Sequence, residues 1–173
     1  MTGLHGWLVV DKPVGPTSAQ VVGKLKWALR QAGYGKVKIG HGGTLDPLAS
    51  GVLPIALGEA TKLAGFLLNG PKAYAFEICF GRATETDDAE GATVATSDRQ
   101  PTEGEIRAVL PRFRGVIMQR PPAYSALKVA GQRSHARARA GEEVLLPERE
   151  VTVHALALEG LARDSASFLV RCS

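Results

Sequence analysis

The chain has 173 residues, 45% hydrophobic and 22% charged, with a formal net charge of +4. That is long enough for one domain with a real core and has the ordinary balance of a globular protein. No apolar run reaches the ~20 residues needed to span a bilayer, and Met1 to Val10 lacks the basic, apolar and small-residue succession of a secretion signal.

The two cysteines, Cys79 and Cys172, lie far apart without a CxxC pair. This argues against a thiolate metal site, fits a reduced cytoplasmic setting and predicts core thiols. Charge is unevenly spread. Residues 1–41 hold six Lys or Arg against one acid, Asp11; residues 72–119 hold six against eight acids; residues 120–149 hold six against three. Two basic blocks around an acidic middle suit a polyanionic partner, although a solvated surface with ordinary charge scatter gives the same count.

Gly6 to Val10 predicts a short buried strand closed by a turn at Asp11-Lys12-Pro13. Thr17 or Ser18 caps the next helix, in which Val21, Val22, Leu25, Ala28, Leu29 and Ala32 share a face and Gly33 is the stop. A strand over Lys36 to Ile39 leads into the glycine-rich run from Gly40 to Pro47. Gly51 to Leu57 predicts a strand, with Pro54 implying an edge or irregular place, and Glu59 to Leu68 a helix. Lys72 to Phe80 alternates strictly, as a strand does, with Tyr74, Phe76, Ile78 and Phe80 on one face. Thr84 to Gly91 is an acidic loop, and Thr102 with Glu105 forms a capping box ahead of a helix. Gly115 to Ala130 is strand-like, Arg133 to Ala140 a short basic helix, and strands follow near Val151 to Leu158 and Ser167 to Arg171. Mixed strands and helices predict an α+β domain on a mixed, mostly antiparallel sheet.

Among residues able to carry chemistry, Asp46 follows glycines that allow close backbone approach and precedes Pro47, which biases it away from helix. It suits a lone nucleophile or base; the alternative is an Asx-turn in which it bonds only its own backbone. His41 could be a base, a metal ligand or a contact to a base or phosphate, but no second His or Cys sits at zinc spacing. No GxSxG elbow supports a hydrolase triad, and a glycosidase would need a second facing carboxylate. Tyr74 is either sheet surface or core, or a ring that stacks on a base. Glu85, Asp87, Asp88 and Glu90 lack the glycine and terminal glutamate of an EF-hand loop and read as a solvated turn. Lys62 sits outside any phosphate-loop frame. Arg133, Arg137 and Arg139 either grip phosphates or keep a helix soluble.

Taken in order, these segments resemble a known family. Gly6-Trp7-Leu8-Val9-Val10-Asp11-Lys12-Pro13 resembles the opening motif of TruB-type tRNA pseudouridine synthases, and the run from Gly40 to Pro54 resembles their catalytic motif. Gly58 to Lys62, Lys72-Ala73-Tyr74, and Pro122 to Lys128 with the basic segment after it follow in the family's order. Position 42 is Gly where many members carry Thr, read as a tolerated variation.

The resemblance implies a pseudouridine synthase fold over residues 1–173, with 122–148 as an RNA-binding insertion that closes on the substrate. It implies isomerisation of uridine 55 in the T loop of tRNA without cofactor or metal; no protein partner follows from it, and the lack of a long apolar run already argues against a membrane. The aspartate matching Asp46 acts at the sugar, as nucleophile or by taking a proton. Tyr74 would stack on the target base, and His41 would hold the flipped nucleotide. Lys62, Arg133, Arg137 and Arg139 are the expected RNA contacts. Leu169 to Ser173 resembles the strand leading into a Lys-Gly-Thr-Tyr-Ile-Arg motif whose arginine would pair with Asp46. The expectation is therefore a truncated catalytic domain, for which RNA binding without catalysis is the alternative.

Overall fold

A computed structural model describes residues 3–121 and 146–173, together with the backbone of Lys128–Val129 and Gln132–Arg133. The chain divides into two compact units, Met1–Gly70 and Pro71–Ser173. Each has its own sheet and its own core. Every strand pairing among the described residues is antiparallel, and the fold class is α+β.

The first unit runs β1 (Gly6–Lys12), α1 (Ser18–Gln31), β2 (Ile39–His41), β3 (Gly51–Leu57), a 3₁₀ turn (Gly58–Leu63) and α2 (Ala64–Leu68). Its sheet has the order β1-β3-β2. Thr17 is the N-cap of α1, with Gln20 completing a capping box. The predicted helical face is the one that packs: Val22, Leu25 and Leu29 lie against Leu53, Ile55 and Leu57 of β3.

Four expectations are corrected here. β1 is longer than predicted, running on to the buried Lys12, and its middle is not buried: Trp7, Leu8 and Val9 are all exposed, so neither face of the strand is fully covered there. β2 starts at Ile39 rather than Lys36, since Ile39 already pairs with Leu57 at the end of β3. Gly58, at φ +57°, turns the chain away after a last bond from its N–H to the Lys38 carbonyl (2.7 Å).

Pro54 sits in the central strand, opposite Val9. Its carbonyl accepts from the Gly42 N–H (2.8 Å) just beyond the end of β2. In a strand the N and O of one residue point to the same side, so the position without a donor faces the side where the β2 ladder has stopped. The predicted helix over 59–68 begins as a 3₁₀ turn, where the Thr61 hydroxyl donates to the Gly58 carbonyl (2.8 Å) and competes with the α-helical ladder.

The second unit contains β4 (Lys72–Cys79), β5 (Arg82–Thr84), β6 (Thr93–Thr96), α3 (Glu103–Val109) with a terminal 3₁₀ turn (Leu110–Phe113), β7 (Gly115–Gln119), β8 (Lys128–Val129), β9 (Gln132–Arg133), β10 (Arg149–Leu161) and β11 (Ser165–Cys172). The main sheet has the order β4-β11-β10-β7. α3, capped by Thr102 and Glu105, lays Ile106 with Leu110 on Val153, Leu156, Leu158, Ala166 and Phe168. The core sequence Val153, Leu156, Leu158 breaks strict alternation because β10 has a register shift between Val153 and Ala155.

The predicted apolar face of β4 is partly open, with Phe76 stacked on Phe168 at 5.3 Å between ring centroids. Cys79 is exposed rather than a core thiol, being the last residue of the edge strand β4; Cys172 is half-buried against the core. The predicted helix over 133–140 is corrected at its first residue, since Arg133 pairs with Lys128 in the β8–β9 hairpin. The rest of that segment lies outside the described residues.

Candidate active site

The glycine-rich segment after β2 forms the loop that returns to β3. It is fastened at three points. The Gly42 N–H is bonded to Pro54 as described. The Ser18 hydroxyl donates to the Leu45 carbonyl (3.0 Å) and accepts from the Leu45 N–H (2.9 Å). The Gly15 N–H donates to the Pro47 carbonyl (2.8 Å). Pro47 is thus tied to the segment between β1 and α1 and Leu45 to the first residue of α1, and Asp46 lies between them.

That segment is held in turn by Lys12, whose ammonium is fully buried and donates to the carbonyls of Pro13 and Pro16, both at 2.9 Å. Gly15 takes φ +112°, a region open to glycine. Ser18 is 2% exposed, so its two bonds satisfy a buried hydroxyl and two backbone groups together.

Asp46 itself is exposed, and among the described residues its carboxylate has no hydrogen-bond or ion-pair partner. The Asx-turn reading fails, because the turn bond from the Ala49 N–H (3.1 Å) goes to the Asp46 main-chain carbonyl and not to its side chain. The half-buried ring of His41 bonds through Nδ1 to the Gly43 carbonyl. A carbonyl only accepts, so Nδ1 carries the proton and Nε2 is left for another partner. Among the described residues no three His, Cys, Asp or Glu converge on a common point, so His41 has no co-ligands there.

Gly42 is buried, and a Cβ at this position would lie 3.0 Å from Leu67 Cδ1 and 3.4 Å from Trp7 Cζ3. The room that a larger residue would need is filled here by Leu67 and Trp7.

The remaining candidates belong to other segments of the chain. Tyr74 belongs to the second unit, in β4 opposite Val170, with its side chain partly exposed. Lys62 forms an exposed ion pair with Glu59, one helical turn away. That hydrogen bond and charge pull the Glu59 carboxyl below its ordinary pKa and raise the Lys62 ammonium above its own. The side chain of Arg133, and Arg137 and Arg139 entirely, are outside the described residues. Sequence reasoning missed Lys12, Gly15 and the Leu45 contact of Ser18. Lys12 stands in the opening motif and Gly15 two residues after it, but a contact across 27 residues leaves no local signal.

The α+β frame is the pseudouridine synthase fold, and this rests on the solved structures it superposes with. A chain solved in a Cbf5–Nop10–Gar1 complex superposes with a TM-score of 0.68 at 30% identity, over 96% of this chain and 39% of that one. Another, from an H/ACA RNP bound to a substrate RNA containing 2′-deoxyuridine, gives 0.65 at 28% identity, over 96% and 37%. The family model described as TruB family pseudouridylate synthase, N-terminal domain, matches residues 30–173, and the chain belongs to that family.

It is 54% identical to tRNA pseudouridine synthase B of Zymomonas mobilis subsp. mobilis over 170 residues, covering 98% of this chain and 56% of the relative. It is 57% identical to tRNA pseudouridine synthase B of Novosphingobium aromaticivorans over 156 residues, covering 90% and 51%. The chain spans about half the length of the curated relatives it matches. Among the described residues no helix is long and apolar enough to cross a membrane.

Proposed function

We propose that the chain carries catalytic machinery of a tRNA pseudouridine synthase that isomerises uridine 55 in the T loop, with Asp46 as the catalytic carboxylate. The supporting observation is a free carboxylate on a loop whose backbone is fastened on both sides. Such a group needs no reorganisation before it meets a substrate. The names of the curated relatives support tRNA as the substrate.

In this reaction the bond from ribose C1′ to uracil N1 breaks, the base turns, and C1′ joins uracil C5. The proton leaves C5 and N1 gains one, so there is no net oxidation and the reading assigns no cofactor. Asp46 acts at the sugar, as nucleophile or as base. The target base must leave its stack, which costs a few kcal/mol; stacking on a ring such as Tyr74 returns ~1–3 kcal/mol. His41, with Nε2 free of the Gly43 contact, would hold the extruded nucleotide. Lys62 would exchange Glu59 for a phosphate. Residues 122–148 would form the RNA-binding insertion of a catalytic domain spanning 1–173.

The test is tritium release from tRNA labelled at uridine C5. Release by the chain supports isomerisation, whereas tRNA binding without release would favour a noncatalytic RNA-binding fragment. Asp46→Asn in a version that releases tritium is expected to lower turnover well beyond tenfold, a barrier change above ~1.4 kcal/mol, with tRNA affinity nearly unchanged. Turnover above a tenth of the parent's would remove Asp46 from the chemistry.

A further inference from the structure

We infer that a basic groove on the first unit, between the C-terminal half of α1 and the segment leading into β2, is a binding site for the sugar-phosphate backbone of structured RNA. The inference rests on the tRNA reading above and adds a contact surface remote in sequence from the 122–148 segment.

The groove has a volume of about 480 Å³, and its walls include Lys26, Arg30, Lys36 and Lys38 over Leu29 and Val37. Lys26 and Arg30 stand four residues apart, on one face of α1. Gly33 and Gly35, at φ +83° and +62°, turn the chain back after the helix. Val37 then packs against the core while Lys36 and Lys38 on either side stay exposed. The helix and the returning strand thus bring four cations to one concave wall.

Among the described residues no carboxylate lines the groove. The Glu59 carboxyl feels Lys38, but it is drawn down chiefly by Lys62 and least by Lys38. Among the described residues none of the four cations has an ion-pair partner.

The sequence carries the same bias. Between Asp11 and Asp46 there are six Lys or Arg and no Asp or Glu. A helix kept soluble by charge ordinarily mixes both signs, because like charges four residues apart repel along it. An unmixed concave cluster raises the local potential and draws a polyanion. Among its described lining residues the polar side chains are Lys and Arg, which donate and do not accept, as contacts to phosphate oxygens require. The exposed rings of Trp27 and Tyr34 adjoin the cationic residues in sequence.

The experiment measures binding of an unmodified tRNA transcript across a salt series, for the chain and for the fourfold variant Lys26→Ala, Arg30→Ala, Lys36→Ala, Lys38→Ala. A charge-matched control carries Arg82→Ala, Arg99→Ala, Arg112→Ala and Arg163→Ala. Circular dichroism confirms folding, which the exposure of all eight side chains favours. The groove variant is expected to lose more than tenfold in affinity at low salt and to flatten the log–log salt slope by two units or more, since each lost phosphate contact removes somewhat under one. The control should lose clearly less. Equal loss in both variants would mean that net charge alone acts, and an unchanged slope in the groove variant would mean that the groove is solvent-facing; either overturns the inference. Displacement of tRNA by inorganic phosphate, at constant ionic strength, would assign the groove to a small anion and overturn it too. Tritium release decides the other reading separately. If the groove variant loses RNA binding while no extended version of the chain ever releases tritium, the groove stands and the isomerase assignment falls.

Discussion

Ser18 illustrates how one hydroxyl can set the position of a reactive group it never touches. Both of its bonds go to the backbone of Leu45, the residue before Asp46. Ser18→Ala would leave a buried N–H and C=O without partners, at ~1–3 kcal/mol of stability, measurable by urea unfolding. If Ser18 only supports the fold, activity per folded molecule stays unchanged. If it positions Asp46, kcat falls several-fold in a tritium-releasing version while KM for tRNA holds, because the loss would appear in the transition state and not in binding. Asp46 was legible as a candidate from the glycines before it and the proline after it, with an Asx-turn left open as the alternative, and its role at the sugar rests on the family resemblance alone. Ser18 was not legible: as a residue it reads equally well as a helix cap, and Thr17 takes that role.

At the scale of elements, patterns of short range were the legible ones. The capping box of α3 and the core face of α1 both follow from spacing within a few residues. The start of β2, the place of Pro54 and the bulge in β10 depend on a partner strand far along the chain, which no local period encodes. The α3 cap predicts a pH dependence. Bonds from the Thr102 backbone, the Arg99 guanidinium and the Thr102 hydroxyl lower the Glu105 pKa from 4.5 to about 2. Because the folded value is the depressed one, the stabilisation is present above pH 4.5 and fades as pH falls through about 2. Wild type should therefore melt above Glu105→Gln at pH 6, and the gap should close on acidification; a gap that persists at pH 2 would mean that the carboxylate charge is not its source.

A second element-scale prediction concerns Gly42, which looked like a permissive loop position. With Leu67 3.0 Å from where a Cβ would stand, Gly42→Ala should destabilise by ~1–3 kcal/mol through overpacking. Leu67→Ala in the same chain should recover part of that, a coupling that a double-mutant cycle reads directly. Strict additivity of the two changes would show that Leu67 is not what confines the residue at position 42.

For the whole molecule, the first charge block of the sequence takes on a geometry. The first basic block contributes the groove cations Lys26, Arg30, Lys36 and Lys38. The acidic middle includes the β5–β6 hairpin loop, where Asp88 accepts from the Thr86 hydroxyl and from the Glu90 and Gly91 N–H groups. These three bonds, led by that of Thr86, hold its carboxyl below the usual pKa and occupy the side chain with its own turn, as a solvated acidic loop requires. The third block, 120–149, holds Arg133, Arg137 and Arg139. Neutralising those three should reduce the salt slope of tRNA binding by about two units, at somewhat under one per phosphate contact. The effect should add to that of the groove variant if the two surfaces touch separate phosphates. A slope unchanged by the triple substitution, in a chain whose slope still responds to the groove, would remove Arg133, Arg137 and Arg139 as phosphate contacts and, with them, the reason to read 122–148 as an RNA-binding insertion.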